Sequence, residues 1–250
     1  MAIDASGRVT LAAVYRRLVD LLRSQWMALG VLTVAALVIA TLTLTLFGWL
    51  SAWVVSGRLN AADSLLMEAI LPRRTPALTA AMRAASWIGS GGFEIPFGIL
   101  FYVWLRRRQR TRAAAFYLWV VLSGWALNGL TKELFHRVRP QVIPRLAHAG
   151  WYSFPSGHSM MAPLVLGLAA VIVLPEVGSR AGRALLLGAT SALCLTIAVS
   201  RVYLGVHYPS DVVGALLAGT GWGALWVYLT ERVRARRQMA PGSESVKVAP

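Results

Sequence analysis

The sequence is poor in charge and has a single cysteine. Only 10 of its 250 residues are Asp or Glu, and charged residues make up 14% of the chain against 57% hydrophobic residues. That balance excludes an ordinary soluble globular domain. The lone Cys194 excludes an intramolecular disulfide and a cysteine-based metal cluster, and its apolar setting predicts a small buried residue. Nor do the few carboxylates form a cluster suited to Mg²⁺.

The sequence contains a series of long apolar runs. Six of them are long enough to be membrane spans, since one crossing takes about 20 residues. We therefore predict an all-α, polytopic membrane protein with six transmembrane helices. The predicted spans are Leu29 to Val55, Trp87 to Leu105, Ala113 to Leu130, Met160 to Leu174, Ala184 to Val199, and Val212 to Leu229.

The segment between the first two spans has a pattern of its own. Apolar residues recur at helical spacing from Ala61 to Ile70, and the prolines Pro72 and Pro76 then break the pattern. Such a pattern is typical of an amphipathic helix that lies on a membrane surface. We place this helix on the extracytoplasmic side.

The orientation follows from the basic residues, because Lys and Arg are concentrated in cytoplasmic loops. With both termini inside, 16 of the 25 basic residues are cytoplasmic and 9 are outside. This predicts a cytoplasmic N-terminal segment (1–28), a six-span domain (29–230) and a basic, disordered cytoplasmic tail (231–250), in a membrane that we take to be the bacterial inner membrane. A net charge of +15 is also typical of proteins that bind nucleic acid. The basic clusters lie beside the predicted spans, however, which favours a role as topology signals and as contacts for lipid headgroups.

Two span starts carry histidines beside prolines. Pro155 is predicted in the first turn of the fourth span, because proline is favoured there. Ser156, Gly157 and His158 follow, and the free N–H groups of such a turn attract anions. We expect Gly157 to allow close approach of an oxygen, Ser156 to donate a hydroxyl and His158 to transfer a proton.

The sixth span begins in the same way, at Pro209. His207 lies just before it and Asp211 just after, so the carboxylate can reach Nδ1–H of the histidine. A histidine oriented in this way is an activated base or nucleophile. The alternative for Asp211 is a helix cap.

Three cations lie at the outer ends of predicted spans: Lys132 after the third, Arg139 seven residues later, and Arg201 at the end of the fifth. Fixed cations and N–H donors stabilise the charge of a phosphoryl group during its transfer. The pattern therefore predicts a phosphate site at a membrane surface.

Two further features lie within the predicted spans. Glu94, in the second span, is either functional or a residue that snorkels or forms a hydrogen bond to a neighbouring helix. A small-residue face (Gly214, Ala218, Gly219, Gly223) serves helix packing within or between monomers.

The three motifs together resemble the type 2 phosphatidic acid phosphatase family, in the superfamily of bacterial acid phosphatases and vanadium haloperoxidases. The family pattern K-x6-RP, PSGH and SR-x5-H-x3-D is present in order at Lys132–Pro140, Pro155–His158 and Ser200–Asp211. The resemblance implies that His207 forms a phosphohistidine, that Asp211 orients it and that His158 transfers protons. It assigns phosphate binding to Lys132, Arg139, Ser156, Gly157 and Arg201, and it implies no metal and no cofactor.

The resemblance also implies a lipid substrate that keeps its tail in the bilayer. Candidates are undecaprenyl diphosphate, phosphatidylglycerol phosphate and phosphatidic acid, with lipid A phosphate as an alternative. Two alternative functions are a non-catalytic carrier or flippase for lipid phosphates and a vanadate-dependent haloperoxidase. The six predicted spans argue against the haloperoxidase. The partners expected are the lipid phosphate and membrane lipids, without nucleic acid; an oligomer is compatible with the sequence.

Overall fold

A computed structural model describes the backbone of residues 11–239 and the side chains of residues 30–235. Helices are the only regular secondary structure in that backbone, which confirms the all-α prediction. Short 3₁₀ turns at Leu71–Arg73 and Leu174–Glu176 and a π-helical stretch at Pro163–Gly167 join or interrupt the α-helices. The α-helices are α1 Leu11–Val55, α2 Asn60–Glu68, α3 Pro76–Ile88, α4 Gly91–Arg107, α5 Thr111–Phe135, α6 Gly157–Ala162, α7 Leu168–Val173, α8 Arg180–Tyr203 and α9 Pro209–Met239.

Five helical segments are long and apolar enough to cross a membrane, and a bent pair of helices makes up to six. Many large apolar side chains on them are exposed, as expected where lipid is the solvent. The protein is therefore an integral membrane protein. The five segments are Gly30–Val55, Thr111–Phe135, Gly157–Glu176, Arg180–Tyr203 and Pro209–Ala235, and the pair is α3 with α4.

The second span differs from its prediction, because it begins at Pro76 rather than at Trp87. Thr75 caps α3 by accepting a 3.2 Å hydrogen bond from the N–H of Leu78. The chain then bends by 44° between α3 and α4. Gly89 lies at this bend, and a Cβ there would overlap the side chain of Ile197. The missing side chain thus allows α8 to pack closely against the bend.

The amphipathic helix is found where the sequence predicts it, as α2. Asp63 and Met67, one turn apart, are its two buried residues. Met67 packs with Ile143 and Val212 in an apolar cluster, so α2 is fixed to the loop before α6 and to the start of α9. The carboxylate of Asp63 is buried beside them.

The start of the fourth span differs in one detail from the prediction. Pro155 lies before the helix rather than in its first turn, since α6 begins at Gly157 with Ser156 as its N-cap. The backbone there is used for other contacts: the carbonyl of Pro155 accepts a 2.8 Å hydrogen bond from Nζ of Lys132, and the N–H of Ser156 donates to the carbonyl of Asp211 over 3.2 Å. Pro209, by contrast, begins α9 as predicted.

The small-residue face of α9 packs within the protein. A Cβ on Gly214 would overlap the ring of Phe154, and one on Gly219 would lie 2.8 Å from the carbonyl oxygen of Met160. These glycines bring α9 close to the start of the fourth span. The close approach accounts for the small residues without a second copy of the chain.

The chain divides into two compact units, residues 40–223 and residues 1–39 with 224–250. The first unit holds every motif described above. In the second, Nη1 of Arg234 lies 2.6 Å from Oε1 of Glu231, one helical turn apart. The predicted domain boundaries at residues 28 and 230 stay predictions, and the ends of the N-terminal segment and of the tail (1–10 and 240–250) lie outside the described residues.

Candidate active site

A cavity of about 250 Å³ lies within the unit formed by residues 40–223. Six of the eight predicted site residues line it, although they come from α5, the loop after α5, α6, α8 and the turn before α9. Ser156 and Asp211 do not line it. The six are Lys132, Arg139, Gly157, His158, Arg201 and His207.

His207 lies in the wall of this cavity and is 2% exposed. Its Nδ1 is 3.4 Å from Oδ2 of Asp211, and its Nε2 is 3.1 Å from Nη1 of Arg139. A guanidinium can only donate a hydrogen bond, so Nε2 is the accepting nitrogen and the proton of the neutral ring belongs on Nδ1. That tautomer leaves the Nε2 lone pair next to the Arg139 guanidinium.

Burial lowers the pKa of His207 to about 4, despite the opposing effect of the Asp211 carboxylate. Desolvation is the larger influence because a charged imidazolium loses its hydration in this wall. The ring is consequently neutral at pH 7. A neutral imidazole is the form that has a lone pair for attack.

Asp211 lies behind the histidine, completely buried. Its Oδ2 accepts hydrogen bonds from the Ser153 hydroxyl and, over 2.8 Å, from the N–H of Tyr208. Its Oδ1 accepts a 2.6 Å hydrogen bond from Nη1 of Arg137. The carboxylate thus contacts both the histidine and the backbone of the turn before α9, and this arrangement is compatible with both alternatives raised by the sequence.

Arg137 is a residue that the sequence reasoning missed. Its Nη1 also donates to the Ser210 hydroxyl over 2.7 Å, and its Nη2 lies 2.7 Å from Oδ2 of Asp63. Its guanidinium carbon is 4.1 Å from the ring centroid of Tyr208. Asp63 in turn accepts a 3.0 Å hydrogen bond from the N–H of Ser210. This network joins the surface helix α2 to the carboxylate behind His207.

Two signals could have pointed to this network. Arg137 lies inside the first motif, at a position that the family pattern leaves unspecified. Asp63 is an acid on the apolar face of an amphipathic helix, one turn from the buried Met67. A carboxylate at such a position needs a cation.

Each of the three cations in the cavity wall is held by neighbouring groups. Nζ of Lys132 donates to the carbonyls of Tyr152 and Pro155, both over 2.8 Å. Nη1 of Arg201 donates to the Ser86 hydroxyl, while its buried Nε has no hydrogen-bond partner among the described residues. Lys132 and Arg201 are only 5% and 4% exposed. Their charges are therefore fixed in position and poorly hydrated, which increases their attraction for an anion.

Arg139 belongs to the loop after α5. Its Nη2 donates to the carbonyl of Gly150 over 2.7 Å and its Nη1 to that of Val206 over 2.8 Å. Burial lowers its pKa from the usual value for arginine, yet a guanidinium stays charged at neutral pH. The contacts place this charge beside Nε2 of His207.

The residues of the PSGH motif differ in whether they line the cavity. His158 is half-buried in the first turn of α6 and faces the cavity. Gly157 also lines it, and a Cβ there would lie 3.2 Å from Oδ1 of Asn128. Ser156 is buried and accepts a 2.9 Å hydrogen bond from the Ser159 hydroxyl, so in this arrangement its side chain is engaged within the helix start.

Two further residues of the cavity wall were not assigned to the site from the sequence. His148, in the loop between α5 and α6, lines the cavity. Glu94 lines it as well, at 2% exposure and without a hydrogen bond to either carboxylate oxygen among the described residues. Glu94 therefore neither snorkels nor bonds to a neighbouring helix, which corrects the structural interpretation of this residue.

Part of the chain matches a known protein family. Residues 112–235, which contain all three motifs, match the PAP2 superfamily. The chain therefore contains a PAP2 superfamily domain. It is 29% identical over 192 residues to phosphatidylglycerophosphatase B of Bacillus subtilis, covering 76% of this chain and 93% of that protein. It is 33% identical over 150 residues to a lipid A 1-phosphatase of Rhizobium etli, covering 53% and 58%.

The fold is likewise similar to that of two solved structures. A crystal structure described as a transmembrane PAP2 type phosphatidylglycerolphosphate phosphatase from Bacillus subtilis superposes with a TM-score of 0.69 and 24% identity, over 81% of this chain and 98% of that one. Aquifex aeolicus LpxE superposes with a TM-score of 0.51 and 23% identity, over 64% and 92%. These likenesses support the transmembrane helical fold.

Proposed function

We propose that the protein is a metal-independent phosphatase that removes phosphate from a membrane lipid through a phosphohistidine on His207. The observation that carries this proposal is the environment of that ring. Asp211 lies on the Nδ1 side, while Nε2 lies in a cavity wall beside Arg139. A site that only binds phosphate has no need of a carboxylate-oriented histidine opposite a second histidine.

In the first step, the Nε2 lone pair of His207 attacks phosphorus and the bond to the leaving oxygen breaks. The bound phosphate anion favours the protonated form of His158, which gives its proton to that oxygen, so the lipid product leaves with a protonated oxygen rather than as an oxyanion. Lys132, Arg139 and Arg201 bind the phosphoryl oxygens, together with N–H groups of the first turn of α6, which begins at Gly157 after Ser156. Asp211 stabilises the positive charge that the attack creates on the His207 ring.

In the second step, the now neutral His158 takes a proton from water as the water oxygen attacks phosphorus. The N–P bond breaks, inorganic phosphate leaves, and the His207 ring regains its lone pair. His158 is protonated again at the end of the cycle. Acid in one step and base in the next is the behaviour expected of one group on one face of the phosphorus.

The substrate classes we propose are phosphatidylglycerol phosphate, phosphatidic acid and undecaprenyl diphosphate. Phosphatidylglycerophosphatase B among the relatives supports a phospholipid monoester, and the lipid A 1-phosphatase supports lipid A phosphate as an alternative. We propose that the cavity faces the extracytoplasmic side of a bacterial inner membrane, with both termini cytoplasmic. The distribution of 16 basic residues inside against 9 outside supports this orientation.

The decisive experiment measures phosphate release by detergent-purified protein in EDTA, on a panel of the lipids named above. We expect release from at least one lipid, and none from His207→Ala. In rapid-quench experiments with ³²P-labelled substrate, His158→Ala should accumulate acid-labile, base-stable phosphoprotein. Release that requires Mg²⁺ would contradict the metal-free mechanism, and lipid binding without release would favour a carrier.

A further inference from the structure

The surface helix α2 turns its apolar side outward. Leu65 and Leu66 are 67% and 56% exposed, whereas Asp63 and Met67 are buried against the protein. Since successive residues of an α-helix are about 100° apart, three alanines share the side of the leucines. We call this side the exposed face of α2; it consists of Ala61, Ala62, Leu65, Leu66 and Ala69. A helix on the surface of a soluble protein has the opposite arrangement, with its apolar side inward.

The partner that fits this face is the acyl region of the bilayer. Four residues separate α2 from the first span, which ends at Val55. Val55 and Trp49, in the last two turns of that span, are 67% and 55% exposed, so an apolar surface that faces lipid leads up to α2. Tryptophan is typical of the membrane–water interface. The exposed face of α2 thus continues the surface by which the protein already contacts lipid.

The inward side of α2 is connected to the catalytic histidine. Oδ2 of Asp63 lies 2.7 Å from Nη2 of Arg137, and Oδ1 of Asn60 accepts a 3.4 Å hydrogen bond from the same nitrogen. Nη1 of Arg137 lies 2.6 Å from Oδ1 of Asp211, whose Oδ2 is 3.4 Å from Nδ1 of His207. Three consecutive contacts therefore lead from α2 to the imidazole ring.

The position of α2 depends on more than its contacts with the protein. A helix of nine residues is too short to be stable alone. Within the protein it buries only two side chains, those of Asp63 and Met67. Lipid around the two leucines supplies the larger apolar contact. If that contact is lost, α2 is free to leave Arg137, and the carboxylate behind His207 loses a fixed partner.

We propose that the exposed face of α2 binds the acyl region of the bilayer, and that this contact holds Asp63 against Arg137 and so keeps Asp211 and His207 aligned. The membrane surface then controls turnover in addition to delivering the substrate. The part of the inference that concerns turnover rests on the proposed phosphatase function. The lipid contact itself does not.

The lipid contact is tested with a nitroxide spin label at position 65, in bilayers of phosphatidylethanolamine and phosphatidylglycerol. The chain has one cysteine, the buried Cys194, so Cys194→Ala combined with Leu65→Cys provides a single labelling site. We expect oxygen, which dissolves in the acyl region, to relax the label more strongly than a water-soluble nickel chelate does. The reverse order would place the face in water and overturn the inference.

The coupling is tested with Leu65→Ser combined with Leu66→Ser in the same bilayers. The substrate is a water-soluble, short-chain analogue of the best lipid of the panel, because it needs no entry from the bilayer. We expect kcat to fall about 10-fold with little change in KM, as for a small misalignment of the reacting groups. Leu65→Met combined with Leu66→Met keeps an apolar face and should retain the wild-type kcat.

A background variant separates coupling from general damage to the fold. In Arg137→Ala the connection is already broken, so the two serine substitutions should lower kcat by less than about twofold more. A further 10-fold loss in that background would mean that they act through the fold and would overturn the inference.

The matched control replaces two leucines on other lipid-facing helices. Leu100→Ser combined with Leu185→Ser, at positions 70% and 72% exposed on α4 and α8, should keep the wild-type kcat. An unchanged kcat in the α2 serine variant would overturn the coupling. So would a raised KM for long-chain lipid alone, since α2 would then serve only substrate entry. Failure of the proposed function is a different result, namely no phosphate release from any lipid by the wild-type enzyme.

Discussion

Nη1 of Arg137 lies 2.6 Å from Oδ1 of Asp211, and both side chains are almost completely buried. The pair connects the carboxylate behind His207 to a guanidinium outside the cavity. Because the other carboxylate oxygen, Oδ2, is the one that lies nearest the histidine, Arg137 fixes the orientation of the carboxylate without touching the cavity. We expect it to act as a positioning residue.

The first prediction is that Arg137→Ala lowers kcat about 100-fold with little change in KM, since a small displacement of Asp211 misaligns the histidine. Arg137→Lys should recover only part of kcat, because an ammonium cannot pair with two carboxylates in a fork. Steady-state kinetics on the best substrate of the lipid panel measures both. Arg58→Ala, at an exposed position of the α1–α2 turn, is the control. A variant with lowered thermal stability but wild-type kcat would show that Arg137 serves the fold alone.

The second prediction concerns the link between Arg137 and the surface helix. Asp63→Ala should destabilise the protein by about 3 to 5 kcal/mol, because it removes one partner of a buried ion pair. In the double variant with Arg137→Ala, the losses should fall short of additivity by about 0.5 to 3 kcal/mol. Denaturation in detergent, followed by tryptophan fluorescence, provides the four free energies. Strict additivity would mean that the two side chains do not depend on each other.

Most of the fold could be predicted from the apolar runs, because a bilayer demands about 20 apolar residues per crossing. The sequence could not reveal where the second span begins. Its bend depends on Gly89 meeting Ile197, a contact between α3 and α8 that no local pattern encodes. Pro155 was misplaced for a similar reason, since its carbonyl is bound by Lys132, 23 residues away.

The residues around the proposed phosphate could be predicted from the sequence, because cations and histidines suited to phosphate chemistry occur there in motifs of fixed spacing. Arg137 and Asp63 each carry a signal in the sequence, but their pairing across 74 positions in the chain could not be predicted from it. Glu94 was visible as an acid inside an apolar run, but its lack of a hydrogen-bond partner among the described residues depends on tertiary packing. Supporting residues of this kind are set by tertiary structure rather than by spacing.

The third prediction tests the phosphate-binding group through Lys132. Lys132→Met keeps the length of the side chain but removes the charge, and we expect kcat/KM to fall about 100- to 1000-fold, as for the loss of one preorganised donor. Arg112→Met, at the other and exposed end of the same helix α5, should behave as the wild type. Inhibition by inorganic phosphate should weaken in parallel. Unaltered phosphate inhibition in Lys132→Met would remove this residue from the binding group.

The last prediction follows from the lowered pKa of His207. The folded state holds this ring near pKa 4, whereas an unfolded chain has a histidine pKa of about 6.5. Below pH 6.5 the unfolded state therefore binds more protons, so stability is complete above pH 6.5 and is lost as the pH falls toward 4. The loss attributable to this group is about 3 kcal/mol over that range.

Thermal midpoints in detergent between pH 7.5 and 4.5 measure this loss, at about 2 to 4 °C per kcal/mol for a chain of this size. In His207→Gln the acid-induced decrease should be smaller, because glutamine does not titrate. His136→Gln, whose side chain in the wild type is 58% exposed, should retain the wild-type decrease. Parallel curves for the wild type and His207→Gln would mean that the ring is not held neutral by burial, and the neutral form whose Nε2 lone pair attacks phosphorus would then lose its physical basis.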